Sequence, residues 1–364
     1  MMNAYAITHD ELDLEVRWPG GESTRFPWIW MRVNEPGAFD PVTRERRFDL
    51  AVVAPDIRPD GVELSGDTLV VHWPEGEGVS HVPMAWLEAR RPDAPLPADP
   101  AAIVPELWDA SLAESLPRHD AGGDLKAFLT DLKRFGLALV EGLGDDPEAG
   151  VAFGQRISCI RETYFGRIFE VYTHPKPNSL AYTAHALAPH TDLPYFETPP
   201  GVQFLHCVRN GAVGGASLFV DGFCAGQVLR DEAPEDFELL SRQRMPYRFI
   251  DDVSDMRHRR PVLALDDDGE LTEIALNPAL ADEIRLDADP AATRRYYAAY
   301  RRLMTITRRP ELTLHTLLEP GTMVAFDNRR VLHGREAFDP TTGERWLRGF
   351  YIDRTDIDSR LRCL

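Results

Sequence analysis

The stretch Pro189-His190-Thr191-Asp192-Leu193-Pro194-Tyr195 is answered far downstream by Asn328-Arg329-Arg330-Val331-Leu332-His333-Gly334-Arg335, and the two together decide the fold. Two imidazoles and one carboxylate occupy one face of an octahedral Fe(II) and leave three positions open for a co-substrate and oxygen. His190, Asp192 and His333 supply that set only if the chain returns a distant histidine to a nearby pair. A sandwich of strands folded around the metal does this, with the ligands on strand ends and loops. Downstream of His333, Arg345 offers a guanidinium to a dicarboxylate co-substrate. The combination predicts an oxygen-activating enzyme with no catalytic side chain beyond the metal ligands.

A histidine two residues from an aspartate is by itself weak, since short motifs arise by chance. The flanks strengthen it. Pro189 keeps Ala188 out of helical backbone. Pro199-Pro200-Gly201 marks a turn, Gly214-Gly215-Ala216-Ser217 opens a strand, and Asp327-Asn328 is a turn signal ahead of His333. Strands are predicted at Gln203 to Cys207, Ser217 to Val220 and Met323 to Phe326. Helical spacing covers Leu125 to Phe135, a stretch from Pro147 to about Ser158, and Thr293 to Thr307. His206, inside the apolar run Phe204 to Val208, reads as a core histidine.

Further out, residues 1–92 read as short strands and turns. Leu12 to Trp18 alternates with period two before Pro19-Gly20-Gly21, and Thr68 to Trp73 stops at Pro74. The expected organisation is a small β-rich N-terminal domain over 1–92, a Pro/Ala/Asp linker over 93–104 and a larger domain over 105–364. The fold class is mainly β with flanking helices.

The 364 residues are 43% hydrophobic and 27% charged, an ordinary globular composition. Acidic residues outnumber basic ones 59 to 40, and the net charge of −19 repels nucleic acid and anionic membrane. There is no apolar run of membrane-spanning length and no secretory pattern at Met1 to Asp10. Cys159, Cys207, Cys224 and Cys363 are scattered, which predicts free thiols in a reducing cytoplasm.

The motif around His190, the run Pro199 to Cys207, and Gly214-Gly215-Ala216-Ser217-Leu218-Phe219-Val220-Asp221-Gly222-Phe223 resemble the γ-butyrobetaine hydroxylase family. That family is a branch of the Fe(II)/2-oxoglutarate oxygenases related to taurine dioxygenase. The resemblance covers about residues 105–360, and less securely a Trp-rich N-terminal segment, Trp28 to Asn34. It implies a double-stranded β-helix (jelly-roll) core, with His190, Asp192 and His333 on iron. It also implies Arg345 and Ser217 on the distal carboxylate of 2-oxoglutarate, Leu205 bordering that co-substrate, and Arg348 as a less secure second cation. Homodimer pairing is implied as well. Relatives often carry zinc on cysteines after the Trp-rich segment; Asn34 to Asp40 has no cysteine, so no structural zinc is expected.

The resemblance further implies a small zwitterionic quaternary amine as substrate. Its trimethylammonium end would sit among Phe165, Phe169, Tyr182, Tyr195 and Tyr351, and Asn277 would meet its carboxylate; Ser179 stands where another amide is usual. γ-Butyrobetaine is the first candidate. A trimethylamino-phosphonate, trimethyllysine or another betaine is the alternative. A phosphonate would need an extra cation, which Pro278 cannot offer and Arg161 could. A non-catalytic betaine-binding sensor would need neither the triad nor Arg345.

Overall fold

The computed structural model describes residues 5–76, 78–172, 183–285 and 289–364. The chain divides into two compact units, Met1–Ala98 and Asp99–Leu364. The larger unit takes in the end of the proline-rich stretch. Ala101 is buried in its core, and Asp99 accepts from Arg362 at 2.7 Å.

The smaller unit holds two antiparallel three-stranded sheets. One comprises Ala6–His9, Asp13–Arg17 and Ser23–Pro27; the other comprises Gly61–Ser65, Thr68–His72 and Val79–Pro83. Period-two alternation drives Leu14 and Val16 inward, where they meet Trp18, Trp28, Leu69 and Trp73. Two indole N–H groups in this core are satisfied: Trp18 donates to Thr24 Oγ1 at 2.8 Å and Trp73 to Ser80 Oγ at 2.7 Å.

The larger unit is a jelly roll. A four-stranded sheet runs Leu187–His190, Val331–Arg335, Ser217–Asp221, Leu314–Thr316. A six-stranded sheet runs Arg118–Asp120, Leu137–Glu141, Met323–Asp327, Val202–Asn210, Arg345–Ile352, Phe169–Val171. Phe219 and Phe326, from opposite sheets, meet with ring centroids 5.4 Å apart between them. Leu137, Leu139, Cys207, Val324 and Leu347 extend that layer.

The outer face of the six-stranded sheet is covered by helices. In Leu125–Phe135 the buried positions are Leu125, Phe128, Leu129 and Leu132, as the helical spacing predicts. Asp124 accepts from Lys126 N and Ala127 N at the start, and Gly136 at φ 70° ends the helix in left-handed backbone. These apolar side chains pack on Val140, Phe204 and Phe350, each worth about 1.5–3 kcal/mol on burial. The stretch expected to be helical from Pro147 begins as a turn and becomes helix over Ala149–Gln155. On the other side of the jelly roll, helices Gly222–Glu232, Pro234–Arg242 and Pro290–Ile306 pack together with the hairpin Arg244–Ile250/Asp255–Pro261.

A buried ion pair locks the start of the strand bearing His333. Arg330 and Asp221 have side-chain exposures of 2% and 0% and pair at 2.8 Å. Asp221 also accepts from Trp108 N and Phe223 N, and Arg330 donates to Arg134 O and to Glu106 O. All of this holds one strand end in place.

Candidate metal centre and binding cavity

His190 ends one strand of the four-stranded sheet, and His333 is its cross-strand partner in the antiparallel register. Asp192 lies just beyond, where the chain turns. One ligand atom from each of the three lies within 4.8 Å of the others. Asp192 Oδ1 is 3.5 Å from His190 Nε2 and 3.7 Å from His333 Nε2. Nδ1 of His190 lies 2.9 Å from Ala188 O, so it carries the proton and Nε2 presents a lone pair. Burial, and then the neighbouring His190, push His333 down to about 3, so its imidazole is neutral near pH 7. Although burial opposes it, proximity to the two histidines and the Tyr351 hydroxyl holds Asp192 well below the usual carboxylate range. His190 is different: although burial opposes it, the Asp192 carboxylate and the Ala188 carbonyl raise its pKa, so a metal competes with a proton at that imidazole.

The turn carrying Asp192 is clamped. Asp192 N donates to Asn328 Oδ1 at 2.7 Å, and Asn328 Nδ2 donates to Asp192 O and Pro200 O. Thr191 N donates to Leu276 O, and Asn277 Nδ2 donates to Thr191 O at 3.0 Å. Leu193 follows at φ 54°, left-handed backbone that a branched residue adopts at a cost of roughly 1–3 kcal/mol. Tyr351 completes the clamp, its hydroxyl donating to Asp192 Oδ2 at 2.8 Å.

The three side chains open onto a cavity of about 610 Å³. Side-chain exposures of 19, 22 and 12% for His190, Asp192 and His333 make them sheltered but reachable. Arg345, Ser217, Leu205, Phe165, Phe169, Tyr195, Asn277 and Tyr351, all singled out from the sequence, line this cavity. Tyr182 and Ser179 fall outside the described residues. Strand parity explains the row Arg345, Leu347, Tyr351, which lies on the cavity side of one strand. Arg348 has the opposite parity; it pairs with Glu148 and Glu170 and does not line the cavity. His206 is likewise turned away, 1% exposed against the helix at Gly150. Gly349 matters here because a Cβ would sit 2.3 Å from Phe169 Cζ, so only glycine lets that ring lie over the strand.

Arg345 is 7% exposed and its Nε has no hydrogen-bond partner among the described residues. Burial lowers its pKa. A buried guanidinium without a carboxylate costs several kcal/mol unless an anion enters. Arg335 is the residue that sequence reasoning missed. Two positions past His333 on the same strand face, it lines the same cavity and donates to Thr183 O and His185 O. Burial, and then the charge of Arg345, push it down to about 10. Two cations beside the histidine–aspartate face fit a dicarboxylate that also reaches a metal. Tyr164 and Phe249 were also missed. Their rings meet at a tilt with centroids 4.9 Å apart in the cavity wall, and Tyr164 shares a hydroxyl hydrogen bond with Tyr195.

A jelly roll holding a two-histidine, one-carboxylate face defines a mononuclear non-haem metal oxygenase. The chain belongs to the taurine catabolism dioxygenase TauD, TfdA family, whose profile matches residues 93–351. Within it, the chain is 40% identical to the gamma-butyrobetaine dioxygenase of Pseudomonas sp. (strain AK-1), covering 96% of this chain and 93% of that one. It is 34% identical to the mitochondrial trimethyllysine dioxygenase of Rattus norvegicus (93% and 83%) and 29% identical to the gamma-butyrobetaine dioxygenase of Homo sapiens (96% and 94%). An asparagine oxygenase structure in complex with Fe(II), 2S,3S-3-hydroxyasparagine and succinate shares the fold. Its TM-score is 0.51 at 18% identity, over 67% of this chain and 80% of that one. A taurine dioxygenase from Burkholderia xenovorans gives 0.50 at 17%, over 69% and 90%.

Proposed function

We propose that this enzyme is an Fe(II)- and 2-oxoglutarate-dependent hydroxylase of a small zwitterionic quaternary amine, γ-butyrobetaine first. The observation that carries the reading is the convergence of His190, Asp192 and His333 within 4.8 Å at the wall of an aromatic cavity also lined by Arg345, whose Nε has no hydrogen-bond partner among the described residues. His190, Asp192 and His333 hold the iron. Arg345 grips the distal carboxylate of 2-oxoglutarate as a planar, charge-assisted fork, Ser217 adds a hydroxyl, Arg335 adds positive field, and Leu205 borders the chain between. When bound, iron and 2-oxoglutarate together supply the oxidising power to hydroxylate an unactivated C–H bond, with release of succinate and CO2.

The protein contributes position and dryness. Phe165, Phe169, Tyr195 and Tyr351, with Tyr164 and Phe249 beside them, present ring faces to a trimethylammonium group. Tyr182 belongs to the same proposal. Asn277 and the exposed Arg308, both on the cavity wall, stand for the anionic end. Trimethyllysine and a trimethylamino-phosphonate remain the second reading, supported by the trimethyllysine dioxygenase relatives and by Arg308 as the needed extra cation. Arg161 serves that role poorly, since it is paired with Asp353 at 2.6 Å. The four cysteines are unpaired, which supports a reducing cytoplasm; a homodimer is carried over from the resemblance alone and is read by sedimentation. No described helix is long and apolar enough to cross a membrane.

The test is a panel of γ-butyrobetaine, other betaines, trimethyllysine and a trimethylamino-phosphonate, read by oxygen uptake and succinate release. Turnover is expected on γ-butyrobetaine above the rest. Preference for the phosphonate or trimethyllysine selects the second reading, and no coupled turnover on any quaternary amine overturns both.

A further inference from the structure

Tyr351 enters the sequence reading as one wall of an aromatic cage, yet its hydroxyl is committed elsewhere. It donates to Asp192 Oδ2 at 2.8 Å, while Asp192 Oδ1 is the oxygen that faces both histidines. Tyr351 is 3% exposed, and its ring is braced by Phe169 at a centroid distance of 5.1 Å. Its strand is paired in register with Val202–Asn210, Tyr351 standing opposite Gln203. The hydroxyl is thus fixed from a different sheet than the one that carries His190 and His333. The main chain of Asp192 is held separately by Asn328. Backbone clamp and hydroxyl together leave the carboxylate little freedom to rotate.

We infer that Tyr351 is a positioning residue that makes Asp192 a one-oxygen ligand and so keeps three coordination positions open. The count is decisive. Two imidazoles and one carboxylate oxygen occupy three of six positions, and a carboxylate using both oxygens would occupy a fourth. A two-point co-substrate would then leave no position for oxygen. A hydrogen bond on Oδ2 engages that oxygen and orients the other, the role that outer partners play around metal ligands. The ring of the same residue still faces the cavity, so the hydroxyl and the ring have separable tasks. This rests on the metal site proposed above.

Tyr351→Phe separates them, since it keeps the ring and removes the hydroxyl. The probe is anaerobic calorimetric titration of the whole protein with Co(II) alone, followed by crystal structures of the Co(II)-loaded proteins. The wild-type protein binding one Co(II) at the triad establishes the site; its failure to do so sinks the metal reading itself. In Tyr351→Phe, Asp192 is expected either to rotate, with Co(II) bound about 10- to 100-fold more weakly, or to bind through both oxygens, a chelate that offsets that loss. Tyr296→Phe removes a buried hydroxyl on the helix Pro290–Ile306 that does not line the cavity, and its Co(II) affinity is expected to match the wild type. If Tyr351→Phe binds Co(II) like the wild type with Asp192 unmoved, the inference is overturned. An equal loss in both variants overturns it too, because the effect is then general to the loss of any buried hydroxyl. Should Tyr351→Phe misfold, the Co(II)-loaded wild-type structure decides: Asp192 bound through Oδ1 with Oδ2 held by the Tyr351 hydroxyl is expected, and Asp192 bound through both oxygens overturns the inference.

Discussion

His190 and His333 are direct partners across an antiparallel strand pair, with ring centroids 4.4 Å apart. The metal face is therefore a property of sheet register, and whatever displaces one strand from the other dismantles it. Gly334 is the sensitive point. A Cβ there would lie 2.5 Å from Leu187 O, an atom of the backbone that leads to His190. Gly334→Ala is expected to cost about 1–3 kcal/mol in denaturant unfolding and to weaken metal binding, though no ligand has changed. Unaltered metal affinity would mean that the strand yields elsewhere.

Arg345 gives a prediction of opposite sign for stability and binding. It is a buried cation awaiting an anion, so Arg345→Leu is expected to raise the melting temperature of the ligand-free protein. The same change removes a charge-assisted contact worth about 1.5–3 kcal/mol, roughly a ten- to hundredfold loss of 2-oxoglutarate affinity. In thermal scans, 2-oxoglutarate with Co(II) is expected to stabilise the wild type and to stabilise the variant far less. An unchanged 2-oxoglutarate requirement would hand that carboxylate to another cation.

The convergence of His190, Asp192 and His333 beside Arg345 was legible because that residue set is rare and the fold it demands agrees with the strand signals around it. Arg348 shows where sequence reasoning stops short. It lies three positions past Arg345, and once the segment is known to be a strand, odd spacing sends the two to opposite faces. Arg335 carried the complementary signal, even spacing from His333, but was hidden by its ordinary residue type. Asn328, Tyr164 and Phe249 could not be read at all, since each reaches the site only through tertiary contacts. Asn277 was expected at a substrate carboxylate; its amide nitrogen is already bound to Thr191 O, which makes it a brace of the metal loop as well as a wall of the cavity.

The buried pair Arg330–Asp221 is expected to matter for folding. Asp221→Ala strands a guanidinium that is 2% exposed and should cost about 3–5 kcal/mol by urea unfolding. By contrast, Glu235→Gln at the exposed pair with Arg295 is expected to change stability by under about 1 kcal/mol. Equal effects would mean that the strand end is held by packing alone.

Phe249 tests the aromatic wall. Its ring stacks on Tyr195 at 5.5 Å and meets Tyr164. Phe249→Leu keeps apolar bulk and loses the ring quadrupole, so KM for γ-butyrobetaine is expected to rise by about 0.5–2 kcal/mol equivalent. A neutral tert-butyl analogue, bound as a competitor, should lose much less. Equal losses for both would point to shape rather than charge.

The most direct test of the central claim is an anaerobic crystal structure of the Fe(II)-loaded enzyme. One iron is predicted, held by His190 Nε2, His333 Nε2 and Asp192 Oδ1 and facing the cavity that Arg345 lines. Iron bound elsewhere, or no iron at these three side chains in a protein that still hydroxylates, would contradict the account.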